Sequence, residues 1–193
     1  PHHFLDQAEF YTEELGAGYY RPDGTPVIIH DSSPSQNQGA LLKDALAIVA
    51  KYKSCKINLD IKSTANLGAV DNLVKEAGLF DRVFYTGVFA DWVETVKTTS
   101  SIPYYLNHKI TPDEASDPHA AQAVADKAKA LGAMGINSNF GGASKTFVEK
   151  MRENGLLVSL WTVNNAADMI KVIDLKPDNI TTKKPHVMKM LFR

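Results

Sequence analysis

The chain has 193 residues, and its 21 Lys and Arg against 22 Asp and Glu leave a formal charge of −1. With 44% apolar and 22% charged residues it has the composition of an ordinary globular protein, and near-neutrality removes the electrostatic footprint of a general nucleic-acid binder. No apolar run approaches the roughly 18 residues of a membrane span, and Pro1 to Leu5 lack the basic-then-apolar order of a signal peptide, so composition leaves the compartment open.

In chain order, Gln7 to Leu15 carries a helical pattern, and no strand is legible before Val27. Val27 to His30, Ile57 to Ile61, Val83 to Thr86, Ile102 to Leu106, Met134 to Asn137, Leu157 to Val163 and Asn179 to Thr181 read as short strands. Several lack clean polar and apolar alternation, as strands covered on more than one side do. Between them, Leu42, Ala45, Leu46 and Val49 recur at helical spacing, as do Phe89, Trp92, Val93 and Val96. Trp92 on that stripe is expected in the core. An alanine-rich helix is predicted over Ala115 to Leu131 and stopped by Gly132. Further helices are predicted over Ser144 to Asn154 and, with Asn165 as cap, to Asp174. The lone Cys55 reads as a small buried hydrophobe.

This alternation of strand and helix predicts an α/β fold with a parallel sheet, in one domain over residues 1–193. About six complete units are legible where a (β/α)8 barrel has eight, so the deficit of one or two strands falls at the front.

Four segments carry more than layout. They are Val27-Ile28-Ile29-His30-Asp31 after the Asp23-Gly24 turn, Ile57-Asn58-Leu59-Asp60-Ile61-Lys62, Leu160-Trp161-Thr162-Val163-Asn164, and Asp178-Asn179-Ile180-Thr181-Thr182 ahead of Pro185. In this order they resemble the glycerophosphodiester phosphodiesterase family. The resemblance implies a TIM-type (β/α)8 barrel with its site at the C-terminal strand ends. It also implies hydrolysis of glycerophosphodiesters to glycerol 3-phosphate and an alcohol, aided by a divalent cation, Mg or Ca. The family's early His-Arg-Gly and Glu-x-Asp are not readable here. Counting back from Asp23 without gaps puts the acidic pair at Leu15 and Ala17, and the adjacent Glu13 and Glu14 do not reproduce an alternate-residue pair.

Cleaving a phosphodiester requires neutralised phosphoryl charge, a proton for the leaving alcohol and an aligned nucleophile. His30, in the position of the family's His-Asp, is the candidate acid or base, since an imidazole titrates near neutral pH. Asp60 and Lys62 occupy the alternate positions of the family's Glu-x-Lys, and a period of two puts both on one strand face. Asp60 is then the candidate metal ligand, one methylene shorter than Glu, and Lys62 the cationic contact to phosphate. Trp161 is the candidate to pack on the glycerol moiety. Asn107 and Asn137, ending strands, read either as hydrogen-bonding groups of the site or as helix caps, and His108, His119 and His186 carry no ligand spacing. Two alternatives stand beside hydrolysis. One is a decayed barrel that binds a phosphorylated ligand without turnover. The other, an unrelated barrel with Lys62 as amine nucleophile, is disfavoured because Asp60 beside it favours the charged ammonium.

Overall fold

The computed structural model describes residues 12–29 and 39–191. They belong to two compact units, Pro1–Pro103 and Tyr104–Arg193.

The first unit starts with β1 (Thr12–Ala17) and a small antiparallel sheet of β2 (Tyr19–Tyr20), β3 (Pro26–Ile28) and β4 (Ala40–Leu41). It continues through α1 (Leu42–Val49), β5 (Lys56–Ile61), α2 (Leu67–Glu76), β6 (Val83–Val88) and α3 (Val93–Thr99). β5 lies between β1 and β6, parallel to both. Three sequence expectations are corrected here. Residues 12–15 are strand rather than helix, because pairing with β5 sets Leu15 and Ala17 opposite Leu59 and Ile61, all four buried. Two apolar positions are too few for period two to show against a helical pattern. The Val27 strand exists, but it is paired antiparallel within the small sheet and not beside β5. Finally, Ala90–Trp92 form a 3-10 turn ahead of α3, so Phe89 is half exposed and Trp92 only partly buried, the two rings edge to face at 5.8 Å. The helix buries Val93 and Val96 alone.

No helix was legible at α2, and the reason is Asp71. It occupies a buried place on the face formed by Leu67, Val70 and Val74, breaking the apolar pattern. Its carboxylate accepts from Ser100 Oγ at 2.6 Å and Ser101 Oγ at 3.0 Å and pairs with Lys75 at 2.9 Å. Burial opposes the charge, but the bonds from Ser100, Lys75 and Ser101 outweigh it and hold the carboxyl below its ordinary value.

The second unit holds β7 (Tyr104–Asn107), α4 (Pro112–Ser116), α5 (Pro118–Leu131), β8 (Gly135–Asn139), α6 (Lys145–Glu153), β9 (Leu157–Trp161), α7 (Ala166–Asp174), β10 (Asn179–Ile180) and α8 (Pro185–Leu191). Its four strands pair in parallel in chain order. The single helix predicted over Ala115 to Leu131 is divided at Asp117-Pro118. Proline forces the preceding residue out of the helical region, and Asp117 instead caps α5 by accepting from the His119 amide. Gly132 ends that helix at φ 80°, as predicted.

Candidate functional site

β5 sorts its side chains by period two. Ile57, Leu59 and Ile61 are buried apolar groups, while Asn58, Asp60 and, just past the strand end, Lys62 alternate with them. The Lys62 amide donates to Ala17 O at 2.8 Å, which carries the β1 pairing one residue further and fixes where this side chain begins. Its ammonium donates to Asp60 Oδ2. Thr86, the register partner of Asp60 on β6, places its hydroxyl 2.8 Å from Asn58 Oδ1 and 3.3 Å from Asp60 Oδ1. Next to it, Gly87 has φ 78°, and a Cβ there would fall 2.7 Å from Asp60 Oδ1 and 2.4 Å from Ile61 O. Only glycine fits that close approach. Asp60 Oδ2 thus steers the ammonium, the Thr86 hydroxyl has its nearer acceptor in Asn58 Oδ1, and the Lys62 side chain keeps 28% of its surface in solvent.

The register of β1 on β5 places Glu14 and Gly16 on the strand face of Asn58 and Asp60. Glu14 lies opposite Asn58, Leu15 opposite Leu59, Gly16 opposite Asp60 and Ala17 opposite Ile61. Leu15 and Ala17, the positions reached by ungapped counting, belong with the buried apolar set, and the residue directly beside Asp60 is a glycine. Among the described residues no three His, Cys, Asp or Glu side chains come together to hold a metal ion. Asp60 would supply a divalent cation with one carboxylate ligand, and the register sets Glu14 of β1 opposite Asn58 on the same strand face. His30 lies outside the described residues.

In the second unit the inward set is neutral. Asn107, Asn137, Ser159 and Asn179 are successive register partners across β7, β8, β9 and β10. Asn137 Nδ2 donates to Asn107 Oδ1 at 2.8 Å, and Asn179 Nδ2 to Ser159 Oγ at 2.9 Å. Asn107 and Asn137, left open between site and cap by the sequence, therefore bond each other. Trp161, two residues after Ser159 and opposite Asn139, ends β9 with 37% of its surface exposed. His108, to which the sequence assigned nothing, bonds Glu114 through Nε2 at 2.9 Å. Burial works against the Glu114 charge, but Thr111 and His108 prevail and hold that carboxyl below its ordinary value. The structure thus joins Asp60 to Lys62. Thr86 and Gly87, which lie against Asp60, were missed by sequence reasoning, although for Thr86 a polar residue inside an apolar run was the visible signal.

The model of the glycerophosphoryl diester phosphodiesterase family matches residues 33–187. The chain belongs to this family. The match covers Asp60, Lys62 and Trp161 and begins just after His30. Among solved structures, an Oleispira antarctica phosphodiesterase in complex with the product sn-glycerol-3-phosphate is 15% identical with a TM-score of 0.74, covering 96% of this chain and 86% of that one. A glycerophosphodiester phosphodiesterase from Parabacteroides distasonis is 19% identical with a TM-score of 0.69, covering 97% of this chain and 87% of that one. At these identities the likeness is one of fold, and the parallel strands with their helices are consistent with a TIM-type barrel of this family. No curated protein matches the sequence. Among the described residues no helix is long and apolar enough to cross a membrane.

Proposed function

We propose that the protein hydrolyses glycerophosphodiesters to glycerol 3-phosphate and an alcohol. The observation that supports this most directly is the Lys62 ammonium at the end of β5, steered by Asp60 yet partly open to solvent. A cation so placed meets a phosphoryl oxygen and offsets the charge that builds up as water adds to phosphorus. His30 supplies the proton that the departing alcohol takes as its P–O bond breaks, and the proton released by the attacking water as its O–P bond forms restores the imidazolium. Trp161 offers an aromatic face to the carbon skeleton of glycerol. The Oleispira antarctica structure, with glycerol 3-phosphate bound, supports the product side of this reading.

A second reading is favoured by Gly16, which stands beside Asp60 without a carboxylate. Under it the protein binds the phosphorylated ligand and does not turn it over. Glycerol 3-phosphate release from glycerophosphocholine, followed enzymatically, decides between them. Hydrolysis predicts product, and the His30→Ala variant is expected to lose at least about a hundredfold in rate. Binding of glycerol 3-phosphate with no release from the diester would establish the second reading instead.

A further inference from the structure

We infer that Asn139 is a specificity-determining residue: its Nδ2 donates to a hydroxyl of the three-carbon unit that lies on Trp161, so that the site prefers polyol phosphates to alkyl phosphates. The inference rests on the reading that a glycerophosphodiester or glycerol 3-phosphate is the ligand and that Trp161 packs on its glycerol. It adds how glycerol is told from a plain hydrocarbon of the same length.

Three observations carry it. First, register sets the two residues side by side. Asn139, the last residue of β8, is opposite Trp161, the last residue of β9, and both lie one strand period beyond the partners Asn137 and Ser159. Asn137 is buried and its amide is taken up by Asn107, so Asn139 is the first carboxamide along β8 to reach solvent, and it does so at the level where Trp161 is exposed. Second, the carboxamide is oriented. The Gly141 N–H, which can only donate, bonds Asn139 Oδ1 at 2.9 Å, so the oxygen faces the turn Phe140–Gly142 and Nδ2 is directed away from it. Two glycines make that turn tight: a Cβ on Gly141 would fall 3.1 Å from Asn139 Oδ1, and one on Gly142 would fall 2.8 Å from Ile110 O, in the segment between β7 and α4. Third, the backbone around Trp161 is tied to its other neighbour. The Thr181 amide donates to Leu160 O and the Thr181 carbonyl accepts from Val163 N, both at 2.9 Å, so bonds lie on either side of the tryptophan. The face of an indole buries carbon and does not distinguish a hydroxyl from a hydrogen. A fixed donor beside it does, because an alkyl ligand would leave that donor without the acceptor it loses from water.

Calorimetry on the full chain in magnesium-containing buffer tests this with two ligands of equal carbon count, glycerol 3-phosphate and propyl phosphate. The native chain is expected to bind glycerol 3-phosphate more tightly than propyl phosphate. Asn139→Ala should lower affinity for glycerol 3-phosphate about three- to tenfold and leave propyl phosphate within about twofold, while Trp161→Ala weakens both. The ratio of the two affinities is the readout, since a turn merely loosened by loss of its Asn139 bond would weaken both ligands alike, and circular dichroism confirms that each variant is folded. Equal weakening of both ligands in Asn139→Ala, or no weakening of either, overturns the inference and leaves the proposed ligand standing. Failure of the native chain to bind glycerol 3-phosphate overturns the proposed ligand and the inference with it.

Discussion

The two units place polar groups on their parallel strands in different ways. On β5 the polar face carries opposite charges, Asp60 and Lys62, and both keep some solvent contact, 15% and 28%. Across β7 to β10 the corresponding row is neutral, buried at its middle with Asn137 at 5% and Ser159 at 0%, and partly exposed at Asn107 and Asn179. The contrast follows from desolvation. An amide or hydroxyl can be taken out of water at little net cost once it is hydrogen-bonded, whereas a charge loses more hydration than one partner returns. Asn137 on Asn107 and Asn179 on Ser159 meet the first condition, so that row holds strands in register. The charged pair is left where water, and hence a charged ligand, reaches it.

Five variants, the last a double substitution, would break or sharpen this contrast. The largest effect is expected from putting charge into the neutral row. Ser159→Asp buries a carboxylate beside the neutral Asn179 amide and should cost about 3–5 kcal/mol by urea unfolding; full stability would mean that the row is wetter than its burial shows. Next is Asp71→Ala, which strands the Ser100 and Ser101 hydroxyls and the Lys75 ammonium, with about 2–3 kcal/mol lost. The isosteric Asp71→Asn sharpens it through pH. Because the folded carboxyl is held below its ordinary value, its contribution is complete above that value and disappears as pH falls through the lower folded one. Unfolding measured at neutral and acidic pH should therefore show a flatter acid limb in Asp71→Asn. Smallest is Asn179→Ala, expected at about 1 kcal/mol, since it removes one neutral hydrogen bond from a half-buried position. If the costs of Asn137→Ala and Asn179→Ala add in the double variant, the row acts as separate pairs; a departure from additivity in either direction would make it one coupled unit.

Legibility tracked how much of a signal was local. Leu42, Leu46 and Val49 lie on α1, and Met169 and Val172 on α7, because the apolar period repeats over successive turns within one segment. Asp60 and Lys62 were readable as a pair for the same reason, being two residues apart on one strand. β1 was not, since its strand character comes from β5, about forty residues later in the chain, and α2 was masked by a buried carboxylate whose partners Ser100 and Ser101 lie on another segment. The helix division at Asp117-Pro118 was visible in principle, as both residues announce a helix start, but alanine on either side concealed it.

From residue order alone came the family, the alternation of strand and helix, and the placing of a carboxylate and an ammonium on one face of β5, because backbone periods and short motifs act between near neighbours. Tertiary pairing decided the rest. It chose Gly16 as the neighbour of Asp60, turned Leu15 and Ala17 toward the apolar set, and lined up Asn107, Asn137, Ser159 and Asn179 into one row. Strand register is a relation between distant segments, and a shift of one residue would reverse every one of those facings.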